Sequence, residues 1–153
     1  MVTAAVLKKA RKLAGESSKM KEVVNEILKN AEALSELRPD QNFALKITNP
    51  GYMTLSIERH ATRVTVTHYF ESNGDLVPDP DMEFMILPSG NWIPAAIQHS
   101  NGVYQRAAEQ NENGLQIYPR AFISQVEFAN DWARNLISQN FHQAPIARYD
   151  ILN

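Results

Sequence analysis

Phe43-Ala44-Leu45-Lys46-Ile47, Asn49-Pro50-Gly51-Tyr52 and Met53-Thr54-Leu55-Ser56-Ile57-Glu58 follow one another between residues 43 and 58, and their reading decides the fold class. Apolar and polar side chains alternate on both sides of the break, the period of a half-buried strand. At the break Pro50 takes the second turn position and Gly51 the third, which suits a type II turn closing an antiparallel hairpin.

Working downstream, Arg63 to Phe70 is rich in Val, Thr and aromatic residues and reads as a third strand. It ends at Ser72-Asn73-Gly74-Asp75, where Asn-Gly tolerates positive φ at both positions and signals a second tight hairpin. Asp81 to Leu87 and Trp92 to Gln98 read as the fourth and fifth strands, joined through Pro88-Ser89-Gly90-Asn91. Pro94 lacks an amide donor and pushes its strand toward an edge or a bulge. The polar stretch from His99 to Leu115 reads as a short strand or turn at Val103-Tyr104 followed by a flexible loop.

Upstream the period lengthens. Val6, Leu7, Ala10, Leu13 and Ala14 fall at helical spacing up to a stop at Gly15, and Met20, Val23, Val24, Ile27, Leu28, Ala31 and Leu34 form a stronger stripe. The second helix is expected from Ser18 to Leu37. After Pro119, residues Phe122, Val126, Ala129, Trp132, Ala133, Leu136 and Ile137 trace a helical face to Asn140, and the tail from Pro145 is expected to be extended. The predicted architecture is α+β: one domain over residues 1–153, with a helical arm at 1–38, an antiparallel meander of about five strands at 43–104 and a C-terminal helix at 119–141.

With 153 residues the chain is long enough to bury about two thirds of its unfolded surface. It has no cysteine, which removes disulfides, thiolate metal sites and cysteine nucleophiles together. The first thirteen residues are too rich in lysine for a signal peptide, and no run of about 18 apolar residues occurs, so the expectation is a cytoplasmic protein without a membrane partner. The net charge of −2 hides an uneven distribution. Residues 1–38 hold eight Lys or Arg against five Glu, whereas residues 64–105 hold no Lys or Arg and five carboxylates: Glu71, Asp75, Asp79, Asp81 and Glu83. Such polarity can steer a partner, although an acidic strand edge also serves simply to discourage edge-to-edge pairing.

Asp81 and Glu83 stand two apart on a strand and so share a face, opposite Met82 and Phe84. Hard divalent cations favour such oxygen clusters, and His68 or Glu71 across the hairpin could add a ligand to Asp79, Asp81 and Glu83, giving a Mg²⁺ or Mn²⁺ site of hydrolytic type. The stretch is not an EF-hand loop, since Phe84 and Gly90 stand where that loop needs Gly and Glu. Histidines 60, 68, 99 and 142 are scattered without HxH or HExxH spacing, and no GxSxG, GxxxxGK[ST] or GxGxxG occurs. The basic residues Lys8, Lys9, Arg11 and Lys12 could touch nucleic acid but lack interleaved aromatics and read equally as a solvated helix face.

Gly51-Tyr52-Met53-Thr54-Leu55, His68-Tyr69-Phe70-Glu71-Ser72-Asn73-Gly74-Asp75-Leu76, Asp79-Pro80-Asp81-Met82-Glu83-Phe84 and Gly102-Val103-Tyr104, with Phe128-Ala129-Asn130-Asp131-Trp132-Ala133-Arg134-Asn135-Leu136 and Gln139-Asn140-Phe141, resemble an uncharacterised bacterial domain family carried by phages, plasmids and conjugative elements. The resemblance covers about two thirds of the chain, leaves the basic first helix outside, and implies a mobile-element setting without an activity. The leading expectation is therefore a non-enzymatic accessory protein that contacts another protein through its acidic hairpin (Glu71, Asp75, Asp79, Asp81, Glu83). The alternative is a metal-dependent hydrolase or nuclease using Asp79, Asp81 and Glu83 with His68. No cofactor is implied, and a twofold homodimer is the base-rate assembly.

Overall fold

The computed structural model describes residues 2–30 and 41–152. Helix α1 (Ala4–Ala14) starts at Thr3, whose hydroxyl accepts the Val6 amide, and stops at Gly15 as its sequence requires. Helix α2 (Lys19–Asn30) buries Met20, Val23, Val24, Ile27 and Leu28, the expected stripe. Its anticipated continuation through Ala31 and Leu34 to Leu37 lies outside the described residues. Strands β1 (Asn42–Ile47), β2 (Thr54–His60), β3 (Arg63–Ser72), β4 (Asp75–Ile86), β5 (Trp92–Gln98) and β6 (Tyr104–Arg106) follow. Then come a two-stranded hairpin of β7 (Ala108–Asn111) and β8 (Gly114–Ile117), the long helix α3 (Pro119–Ser138), a 3₁₀ turn at Phe141–Gln143 and strand β9 (Ile146–Leu152).

The main sheet has seven antiparallel strands in the order β6-β5-β4-β3-β2-β1-β9, where the sequence predicts about five. Two strands account for the difference. The extended tail adds to β1 as the outermost strand, and β6 adds beyond β5 at the other edge. The stretch expected to end in a loop instead folds back as β7–β8, turning at Gly114 (φ +99°). Both predicted turns hold. The Tyr52 amide donates to the Asn49 carbonyl at 3.0 Å with Gly51 at φ +88°, and Asn73 and Gly74 take φ +52° and +83° between Ser72 and Asp75. Pro94 falls at a bulge: Glu83 pairs with Ala96 but Phe84 with Pro94, so Ala95 is the extra residue.

Cross-strand partners share a face of the sheet, so the register sorts the side chains. Leu45, Ile57, Val66, Met82 and Ile97 form one continuous row on the covered face. Against it pack α2 and the Ala129, Trp132, Ala133 and Leu136 side of α3, making the principal core. Each fully buried Ile or Leu in that layer stabilises by about 1.5–3 kcal/mol. A smaller core joins Met85, Ile93 and Ala95 of the sheet to Ala107, Ala108, Phe122 of α3 and Ala10 of α1. Among the described residues no helix is long and apolar enough to cross a membrane.

Candidate functional site: the acidic hairpin and the open sheet face

The opposite face carries a second row that the same register defines: Arg148 on β9, Lys46 on β1, Ser56 on β2, Thr67 on β3 and Asp81 on β4. One step along the strands lies a parallel row of Asp150, Ala44, Glu58, Thr65 and Glu83. These two rows are polar apart from Ala44, and α2 and the buried side of α3 pack on the other face.

The five carboxylates singled out from sequence occupy three settings. Glu71 and Asp75 are exposed at the hairpin tip, next to Leu76, which is 64% exposed. Asp81 and Glu83 are half-buried and share the open face as predicted, but each has an internal partner. The Thr67 hydroxyl donates to Asp81 Oδ1 at 2.9 Å, and Arg63 Nη1 lies 2.8 Å from Glu83 Oε2. Asp79 sits where the register shifts, so that Asp79 and Pro80 stand opposite His68 alone.

His68 lies on the covered face, paired with Leu55 and only 7% exposed. Its ring centroid is 5.4 Å from those of both Trp132 and Phe141, and Nδ1 is 3.4 Å from the Thr54 carbonyl. Burial lowers its pKa below the usual 6.5, opposed by the Thr54 and Met53 carbonyls and the charge of Asp79. The residues named for a metal are therefore divided, with His68 on the helix side and Asp81 and Glu83 on the open side. Among the described residues no three His, Asp or Glu side chains are placed to hold one ion.

On the basic first helix, Lys9 Nζ lies 3.1 Å from Glu127 Oε1 of α3, so one of the four cations there is used within the fold. Such an exposed pair contributes little to stability.

The residues that sequence reading missed lie toward the β9 edge of the open face. Strands β9, β1 and β2, together with Tyr69 and Leu76 of the hairpin, enclose a concavity of about 440 Å³. Lys46, Ser56, Glu58, Arg148 and Asp150 line it. No spacing in the sequence marks this set, because β9 joins β1 only through tertiary pairing.

A family model described as a domain of unknown function, DUF6908, matches residues 22–142. The chain belongs to the DUF6908 family. Comparison with curated proteins and with solved structures finds no match. The DUF6908 span takes in the sheet from β1 to β6, the whole acidic hairpin and α3, while α1 and β9 fall outside it. In the DUF6908 part of the concavity lie Lys46, Ser56, Glu58, Tyr69 and Leu76, and β9 adds Arg148, Asp150 and Leu152.

Proposed function

We propose that this chain is a non-enzymatic interaction module, an accessory protein of a bacterial mobile element, that docks a basic protein surface through the tip of its β3–β4 hairpin. The observation that carries the reading is the pairing of Glu71 and Asp75 with the exposed apolar side chain of Leu76, in a span with no Lys or Arg. Among the described residues neither carboxylate makes an ion pair. In an antiparallel meander the β1–β2, β3–β4 and β5–β6 connections lie at one end of the sheet, and here they also expose Tyr52, Met53 and Val103. Aromatic and aliphatic anchors flanked by one sign of charge suit a partner of opposite charge. The mobile-element setting rests on the resemblance of the hairpin and its neighbours described above.

The test is affinity capture from bacterial lysate with mass spectrometry, using the natural chain, Glu71→Lys/Asp75→Lys and Leu76→Ser in parallel. A basic protein should be retained by the natural chain, released as salt rises, and lost from both variants. Identical captured sets for all three proteins would overturn the reading.

A further inference from the structure

We propose that the concavity on the open sheet face binds a small organic acid, its carboxylate or phosphate head held by Lys46, Arg148 and the Ser56 hydroxyl. Three observations converge on it. First, register places Lys46 directly between Arg148 and Ser56. Two cations opposite one another on the same face repel, and an anion bound between them relieves the repulsion. Arg148 is only partly satisfied, because its Nε lies 2.6 Å from Asp150 Oδ2 while its guanidinium offers further donors. Among the described residues Lys46 makes no ion pair.

Second, Ser56 is 6% exposed and its Oγ has no hydrogen-bond partner. A buried hydroxyl without a partner is a net cost to folding, and its position in the wall of a charged concavity gives it a use as a donor to an anion. Third, the volume of about 440 Å³ falls within the range of small-ligand sites.

The remaining wall defines the ligand's other end. Glu58 lies two residues from Ser56 along β2, about 7 Å away, and repels a second anionic group while accepting from a donor. Tyr69 keeps its phenolic proton, since burial and the charges of Asp81 and Glu58 raise its pKa above 10.0. Leu76 and Leu152 supply apolar contact. The fitting ligand is an acid of a few carbons with an ammonium or hydroxyl group at its far end. The site shares Leu76 with the hairpin tip but none of Lys46, Ser56, Glu58 and Arg148, so its failure in the variants below leaves the docking reading intact.

Amide NMR titrations with inorganic phosphate, acetate and β-alanine test this, on the natural chain and on Lys46→Met, Ser56→Ala and Glu58→Gln. Saturable shifts are expected at β1, β2 and β9, with phosphate or the carboxylates giving the tighter curve according to the natural head group. Lys46→Met and Ser56→Ala should each weaken binding at least several-fold, while Ser56→Ala unfolds at the same temperature as the natural chain or higher, which separates lost binding from lost folding. Glu58→Gln should abolish any preference for β-alanine over acetate. The proposal is overturned if none of the three probes saturates across the millimolar range, or if the shifts persist unchanged in Lys46→Met.

Discussion

His68 is the one histidine buried in the fold, tilted against the rings of Trp132 and Phe141, and its protonation is therefore coupled to folding. The folded state holds the ring below its usual pKa, so the unfolded chain binds the proton more readily. The contribution is fully present above about pH 6.5 and is lost as pH falls from there through the lower folded-state value. Thermal unfolding of the natural chain should thus fall more steeply across that window than that of His68→Gln. Parallel curves for the two proteins would locate the acid sensitivity elsewhere. The placement of this residue was half legible: a period of two puts His68 with Val64 and Val66, and Asp81 opposite Met82. What the sequence lacked was the register, Val66 to Met82, that joins those parities into faces and separates the imidazole from the carboxylates.

Among the elements, the β1–β2 and β3–β4 hairpins are readable from Pro-Gly and Asn-Gly turns, whereas β7–β8, too polar to alternate, reads as a loop despite Gly114, and the β2–β3 turn carries no Gly to mark it. The β2–β3 hairpin turns through Ala61 and Thr62, with Ala61 at φ +57°, a conformation that disfavours a Cβ. Two side chains hold it there: the Asn42 side chain accepts the Ala61 amide at 2.7 Å, and Arg59 Nε, two residues away, donates to the Ala61 carbonyl at 3.2 Å. Local propensity at the turn is overridden by a bond from within the hairpin and by one from Asn42, nineteen residues upstream, which no short window of sequence brings together. Replacing Ala61 with Gly relieves the Cβ conflict and should stabilise by about 1 kcal/mol, measured by urea denaturation, with Asn42→Ala destabilising in the opposite sense. Loss of stability on Ala61→Gly would mean that the added freedom of the unfolded chain outweighs the relief.

For the whole molecule, the helices, the first hairpins and the core stripe follow from periodicity, whereas the width of the sheet does not. Strand β9 alternates only weakly, and its pairing with β1 spans about a hundred residues of chain, so nothing local announces it. It nevertheless covers the β1 edge and stacks Tyr149 on Phe43 at 6.4 Å between ring centroids. A chain ending at Ala144 should unfold at lower temperature and self-associate on size-exclusion chromatography, because β1 then presents unpaired amides and carbonyls. A monomer of unchanged stability would show that the edge is protected without it. The position of β9 also makes the molecule open to redesign. Among the described residues it pairs with a single neighbour, β1, at the edge of the sheet, so its outward side chains can be rewritten without disturbing an interior ladder. Arg148, Asp150 and Leu152 amount to an interchangeable wall on a fixed floor, and grafting another edge strand in place of β9 would change the chemistry of the concavity while leaving the scaffold that displays the acidic hairpin as it is.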